Sequence, residues 1–236
     1  MKELDYNFYC NKNKTDKGDQ IPNGNGYAKF YQPFFEKIRF SCENILEIGI
    51  DNGYSLMTNY EFFEKSKILG LDIKNCTRFD NDRITTKILD QGNLQELESF
   101  VEYCDSNNVS FDFILDDGSH DVIHQQLTFG KFFKLVKPGG FYIIEDLGTS
   151  YFSLGESLYG YKQTQEKINS NTINFLNQRP FSSFWINEED TEFINLNVDF
   201  VSIFDKTNGN LSYSTDFKCT NNYPIRSITS IIKRVS

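Results

Sequence analysis

The alternation of short apolar segments with helical ones between residues 44 and 147 most constrains how this chain can fold. Five segments have the length and composition of strands: Asn44–Ile50, Lys67–Ile73, Ile84–Asp90, Phe111–Asp117 and Phe141–Leu147. Helical spacing occupies three segments between them: Tyr54–Lys65, Asn93–Asp105 and Val122–Val136. Strands separated by single helices predict an α/β domain with a parallel sheet and right-handed crossovers.

The two ends of the chain are less regular. Residues 1–26 are polar and lack a period, which predicts an arm or lid leading into a helix at Tyr27–Arg39. Beyond Leu147 the pattern predicts a loop, a helix and two antiparallel closing strands, at Gly148–Tyr161, Lys162–Asn177, Val198–Phe204 and Ile225–Ile232. We expect one domain over residues 1–236, with residues 148–197 as an insert on the substrate side.

Composition excludes several functions. The net charge of −9 disfavours a protein that grips a phosphate backbone, so nucleic acid is not an expected partner. Five cysteines without a C-x-x-C pair, and no signal peptide, predict a reduced, cytoplasmic chain. No apolar run approaches the roughly 20 residues that span a bilayer, so no membrane anchor is predicted.

The first strand ends in a turn that suits a nucleotide cofactor. Gly49 and Gly53 allow close approach of a ligand to the backbone, and Asp72 stands where a ribose diol is usually held. A dinucleotide and S-adenosylmethionine both match this pattern. The G-x-x-x-G spacing lacks a glycine of the pyrophosphate loop, and Glu47 would repel a pyrophosphate but pair with a cationic cofactor, which favours S-adenosylmethionine.

Two further observations belong to this cofactor hypothesis. Asp90 and Gln91 follow the third strand, where side chains could hydrogen-bond to the edge of the adenine ring of the cofactor. The alternative is a plain tight turn in an α/β sheet with a surface Asp72, and the turn alone does not exclude it.

Acidic residues end two neighbouring strands and predict a metal site. Asp117 closes one strand, and Glu145 and Asp146 close the next. Three converging carboxylates repel each other unless a cation lies between them. Oxygen ligands favour magnesium, or manganese or calcium, over zinc. Such a metal would lower the pKa of a substrate hydroxyl, with His120 as the general base.

Other interpretations of the same residues remain open. His120 and His124 could form an H-x-x-x-H zinc face on a helix, although the glutamate of a metalloprotease is missing. His124 could equally hold the substrate, orient a loop or lie on the helix surface. Asp117 or Ser119 could simply cap the following helix, but capping does not explain the second acidic pair, Glu145 and Asp146.

These residues together resemble a known family. Asp116–His120, His124, Leu135–Gly140 and Ile144–Leu147, together with Asp16–Gly18 and the Glu47–Gly53 turn, are similar to the metal-dependent sugar O-methyltransferases that tailor macrolide and rhamnosyl antibiotics. The resemblance covers roughly Asp16 to Tyr151 and is looser beyond. It implies a class I methyltransferase fold, with a seven-stranded sheet whose last strand is antiparallel.

The resemblance also implies roles for individual residues. Asp117, Glu145 and Asp146 match magnesium ligands, and His120 matches the catalytic base. Those that match S-adenosylmethionine contacts are Glu47, Gly49, Asp72, Asp90 and Gln91, with Asp116 near the methionine end of the cofactor. Beyond Leu147, Tyr151, Tyr159 and Tyr161 are candidates for the acceptor pocket, with ordinary loop packing as the alternative. A homo-oligomer follows by analogy alone.

The sequence therefore predicts methyl transfer to a sugar hydroxyl, on an antibiotic, a nucleotide-linked sugar or a polysaccharide. One alternative is a non-sugar acceptor such as a catechol, a phosphate-type oxygen or an amine. A second is a non-catalytic module that binds S-adenosylmethionine, against which the four residues of the metal and base cluster argue.

Overall fold

A computed structural model describes residues 4–22, 24–150, 164–205 and 228–236. Its centre is a seven-stranded sheet in the order β3-β2-β1-β4-β5-β7-β6. The strands are β1 (Asn44–Ile48), β2 (Lys67–Asp72), β3 (Ile84–Ile88), β4 (Phe111–Asp116), β5 (Val136–Ile144), β6 (Val198–Asp205) and β7 (Ile228–Arg234).

The strand directions are those that the sequence and the resemblance predict. Strands β1 to β5 pair in parallel, whereas β7 is antiparallel to both β5 and β6. Glu47 lies level with Gly70 of β2 and Leu115 of β4, and Asp116 lies level with Ile144 of β5. The carboxyl ends of β1, β2, β4 and β5 therefore meet at one edge, where ligands bind in such sheets.

Eight α-helices are described: α1 (Tyr6–Asn13), α2 (Ala28–Ile38), α3 (Tyr54–Phe62), α4 (Leu94–Ser106), α5 (Val122–Phe132), α6 (Gln165–Asn169), α7 (Thr172–Asn177) and α8 (Glu188–Asn197). Short 3₁₀ turns span Thr77–Phe79, Phe133–Leu135 and Leu147–Ser150. Two apolar layers enclose the sheet. Helices α1, α2 and α3 contribute to one layer, and α4, α5, α7 and α8 to the other. None of the helices in the described residues is long and apolar enough to cross a membrane.

Several predicted elements differ from the structure. The arm at residues 1–26 contains α1, whose start is capped by Asp5 and whose Tyr6 and Cys10 are buried. The predicted helix at Lys162–Asn177 is two short helices, α6 and α7, within its described part. The predicted helix Val122–Val136 ends at Phe132, and β5 begins at Val136 and not at the predicted Phe141. Residues 137–140 therefore lie inside the strand, where a bulge interrupts the pairing with β4.

Candidate active site

A cavity of about 530 Å³ opens at the carboxyl ends of β1, β2 and β4. Its volume lies within the range usual for small-molecule and cofactor sites. Six of the predicted site residues line it: Glu47, Gly49, Asp72, Asp117, His120 and Asp146. Residues 14–17 and Ile21 form another part of the wall, so the N-terminal segment closes over the ends of the strands.

Unusual backbone conformations concentrate at this cavity. Five non-glycine residues in the described chain have positive φ, and Lys14, Asp51, His120 and Asp146 among them line the cavity. Only Asn108 does not. Such conformations cost about 1–3 kcal/mol each and gather at binding sites, where the surrounding structure holds them in place. The strain therefore marks the same region as the acidic motifs.

Gly49 joins the turn after β1 to the segment after β4. Its φ is +84°, and a Cβ atom there would lie 2.1 Å from the carbonyl oxygen of Asp117. The turn therefore packs directly against the backbone of Asp117, and only glycine allows that distance. This contact brings the predicted cofactor turn and the predicted metal site to one place.

Asp117, His120 and Asp146 converge on one point. One potential ligand atom from each lies within 4.8 Å of the other two. His120 Nε2 is 4.0 Å from Asp117 Oδ1 and 3.7 Å from Asp146 Oδ2, distances longer than hydrogen bonds. Opposite ligands of a magnesium ion are about 4.2 Å apart, so the spacing and the oxygen-rich chemistry both fit a hard divalent cation.

Glu145 lies beside this cluster and is fully buried. Its Oε1 accepts a hydrogen bond of 2.8 Å from the Tyr31 hydroxyl, and its Oε2 is 3.0 Å from Lys17 Nζ. Lys17 Nζ also donates to Asp117 Oδ2 at 2.7 Å. Burial alone would lower the pKa of Lys17, but the carboxylates of Asp117 and Glu145 raise it well above its usual value. The lysine is therefore a buried cation among the predicted metal ligands.

The N-terminal segment also bonds to Asp146. The Tyr27 hydroxyl donates to Asp146 Oδ1 at 2.8 Å, and Asn25 Nδ2 donates to the same oxygen at 3.2 Å. No sequence pattern assigns a role to Asn25, Tyr27, Tyr31 or Lys17. The only signal was the Asp16–Gly18 element, which appeared in the resemblance without a function.

Glu47 is positioned by a hydrogen bond from Asn59, which Tyr6 positions in turn. Asn59 Nδ2 donates to Glu47 Oε2 at 2.9 Å, and the Tyr6 hydroxyl donates to Asn59 Oδ1 at 3.0 Å. Burial raises the pKa of Glu47 to about 7, although Lys17 and Asn59 oppose the shift. A cationic ligand in the cavity would favour the ionised form of this carboxylate.

Asp72 also takes the position that the sequence predicts. Its Oδ2 accepts hydrogen bonds from the backbone amides of Ile50 at 2.8 Å and Asp51 at 3.2 Å, and its Oδ1 accepts from the amide of Lys74 at 2.8 Å. The carboxylate thus fixes the turn after β1 while it lines the cavity.

Asp116 and Gln91 do not line the cavity. Asp116 is buried and accepts hydrogen bonds from Gln91 Nε2 at 2.7 Å and the Tyr142 hydroxyl at 3.2 Å. Gln91 Oε1 accepts from the amide of Ser119 at 2.9 Å. Both side chains therefore support the segment that carries Asp117 and His120, and their predicted contacts with the cofactor remain predictions.

Three further predicted residues also lie outside the cavity wall. Asp90 accepts from the amide of Gly92, and Gly53 precedes α3 against the ring of Phe79. His124 Nδ1 is 2.9 Å from Ser119 Oγ, which fits the alternative that His124 orients the loop.

The capping alternative for the acidic motif is wrong. Asp121 caps α5 by accepting from the amide of Ile123, so neither Asp117 nor Ser119 is the cap. Tyr151, Tyr159 and Tyr161 lie outside the described residues, so the acceptor candidates remain predictions.

Comparison with known proteins gives relatives of one chemical class. No family model matches the chain. It is 35% identical over 132 residues to the 8-demethyl-8-(2-methoxy-alpha-L-rhamnosyl)-tetracenomycin-C 3'-O-methyltransferase of Streptomyces olivaceus, covering 53% of this chain and 33% of that protein. It is 36% identical over 136 residues to the demethylmacrocin O-methyltransferase of Streptomyces fradiae, with the same coverage of both proteins. The chain thus spans about a third of the length of these curated relatives.

Solved structures establish the fold. The mycinamycin-pathway methyltransferase MycE, in complex with Mg, SAH and mycinamycin VI, matches 99% of this chain and 55% of its own, with a TM-score of 0.68 and 21% identity. The chain therefore has the class I methyltransferase fold that the resemblance implies.

Proposed function

We propose that this protein is an S-adenosylmethionine-dependent, divalent-metal-assisted O-methyltransferase that acts on a sugar hydroxyl. The observation that carries the proposal is the convergence of Asp117, His120 and Asp146 at the wall of a cavity that Glu47 and Asp72 also line. The name of one curated relative, an O-methyltransferase of a rhamnosyl tetracenomycin, supports the sugar acceptor.

The cavity suits the methyl donor. Glu47 offers a buried carboxylate for a cationic amine, and Asp72 offers a second carboxylate at the end of the neighbouring strand. Gly49 keeps the turn between them against the backbone of Asp117. When bound, S-adenosylmethionine would supply an electrophilic methyl group. The protein would contribute mainly by holding that group in line with the acceptor oxygen.

The acidic cluster suits the metal. Asp117 and Asp146 would bind the cation directly, and we retain Glu145 as the third ligand because it adjoins Asp117 across Lys17. A magnesium or manganese ion there would lower the pKa of an acceptor hydroxyl. Glu145 would then need to present an oxygen that now faces Lys17 or Tyr31.

His120 is the group that would take the proton. Its Nε2 faces the carboxylates of Asp117 and Asp146 from the cavity wall. An imidazole can accept the hydroxyl proton as the oxygen bonds to the methyl carbon. The acceptor would be a small molecule or saccharide; the net charge of −9 disfavours a nucleic acid.

Two substitutions test these roles. Asp117→Asn and His120→Gln should each lower turnover by at least about 100-fold, because each removes a group that activates the acceptor. Calorimetric affinity for S-adenosylmethionine should stay within about threefold, since neither change removes Glu47 or Asp72. Asp105→Asn, an exposed change on α4, is the matched control and should remain fully active. Full activity of either site variant would refute its assigned role.

A further inference from the structure

Lys17 makes two contacts that no assigned role explains. Its side chain is 1% exposed, and its Nζ lies 2.7 Å from Asp117 Oδ2 and 3.0 Å from Glu145 Oε2. Burying a lysine ammonium group is costly unless carboxylates compensate it. Here the carboxylates of Asp117 and Glu145 compensate the buried ammonium group, and both contact the same atom, Lys17 Nζ.

The two oxygens of Asp117 face different partners. Oδ2 bonds to Lys17, whereas Oδ1 is the oxygen nearest His120, at 4.0 Å. Lys17 thus contacts Asp117 on the oxygen away from His120 and leaves Oδ1 directed toward the cluster with Asp146. Its Nζ lies between Asp117 Oδ2 and Glu145 Oε2, two of the proposed ligands, and not beside the oxygen of Asp117 that is nearest His120.

Glu145 is restrained from both of its oxygens. Lys17 Nζ forms an ion pair with Oε2, and the Tyr31 hydroxyl donates a hydrogen bond to Oε1. The Tyr31 hydroxyl is in turn 2.7 Å from Thr229 Oγ1. Lys17 itself has a third, longer ion pair, with Asp16 Oδ1 at 3.8 Å from its Nζ. Without the ammonium group, the carboxylates of Asp117 and Glu145 would face each other uncompensated and would repel.

We propose that Lys17 is a positioning residue of the metal site: its ammonium group fixes the orientation of Asp117 and Glu145 in which the cation is bound. The inference rests on the proposed function for the identity of the site. Groups that orient metal ligands in this way typically change metal affinity by 10–100-fold when they are removed. The opposite expectation, that Lys17 merely competes with the metal, predicts tighter binding after its removal.

Metal affinity separates these two expectations. Mn²⁺ binding to the purified protein, followed by electron paramagnetic resonance, should be about 10–100-fold weaker in Lys17→Met than in the wild type. Lys17→Arg, which keeps the charge, should recover at least part of the affinity. Lys12→Met is the matched control, because Lys12 lies five residues before Lys17 and forms an exposed ion pair with Glu61, outside the metal site. The Mn²⁺ affinity of this variant should not change. Wild-type or tighter Mn²⁺ binding by a folded Lys17→Met variant would overturn the inference.

A second measurement covers the case in which Lys17→Met does not fold. The double variant Lys17→Met/Glu145→Gln removes both charges of the pair. Without metal it should therefore show a cooperative melting transition even where Lys17→Met shows none, and it should melt at least about 6 °C higher where Lys17→Met does fold. A double variant that melts no higher would show that Lys17 does not restrain Glu145, and the inference would fail.

These outcomes are separable from the proposed function. Neither measurement uses an acceptor or the methyl donor. A wild-type protein that transfers methyl groups but shows no Lys17 effect overturns only this inference. A protein that shows the Lys17 effect but transfers no methyl group overturns only the proposed function.

Discussion

At the scale of single residues, Glu47 is a site residue whose ionised form lowers the stability of the folded protein. The carboxylate is buried, and burial raises its pKa from about 4.5 to about 7. The folded state therefore binds this proton more tightly than the unfolded state does. Between about pH 4.5 and 7 the unfolded chain holds fewer protons at this position, so the free energy of unfolding falls as the pH rises.

This shift predicts the behaviour of Glu47→Gln. The ligand-free variant should exceed the wild type in free energy of unfolding by about 1–3 kcal/mol at pH 8, and the difference should vanish toward pH 4.5. Urea unfolding at both pH values measures it. Glu102→Gln, an exposed change on α4, should show no such pH-dependent difference. A Glu47→Gln variant less stable than wild type at pH 8 would contradict this account of Glu47.

The sequence identified some of these residues and not others for a physical reason. Asp117, Glu145 and Asp146 end strands, so the parallel sheet itself predicts that they meet. Lys17 and Tyr31 reach the same carboxylates from 100 and 114 residues away, out of a segment with no strand pattern. The pattern of a single sequence does not indicate which distant residues such a segment will contact.

At the scale of elements, the turn after β1 depends on its packing against the end of β4. Gly49→Ala combines a positive φ with a clash at the backbone of Asp117, so it should cost at least about 3 kcal/mol and abolish binding of S-adenosylmethionine. Gly139→Ala is the matched control. Gly139 has a φ of +77°, but a Cβ atom there would make only an ordinary van der Waals contact, 3.5 Å from Ser236 Oγ, so the change should cost only about 1–2 kcal/mol. Chemical unfolding compares them; equal costs would contradict the role given to the contact.

The elements were predictable to different degrees. Strands β1 to β4 begin at the residues where the predicted segments begin. The apolar runs are clearest in β1 and β4, at the centre of the sheet, where nearly every residue is buried. Helix α1 was missed because its sequence is polar and only Tyr6 and Cys10 of it are buried. The start of β5 was missed because Pro138, Gly139 and Gly140 are typical of turns, although here they lie in a bulged strand.

At the scale of the whole molecule, the cavity lies between the strand ends and the N-terminal segment. Lys17, Asn25, Tyr27 and Tyr31 of that segment bond to all three predicted metal ligands. Tyr6 supports the cofactor carboxylate Glu47 through Asn59. Tyr6, Lys17 and Asn25 lie in the arm that the sequence predicts at residues 1–26, whereas Tyr27 and Tyr31 lie at the helix predicted after it. The arm therefore contributes to both the metal-binding and the cofactor-binding part of the candidate site.

The most direct test of the central claim is transfer of a labelled methyl group from S-adenosylmethionine to paired acceptors. Rhamnosylated compounds should be compared with their aglycones and with a catechol, before and after chelation by EDTA. We predict that label enters only the sugar-bearing acceptors, is lost with EDTA and returns with Mg²⁺. Transfer that is indifferent to EDTA, or that is confined to acceptors without a sugar, would contradict the account.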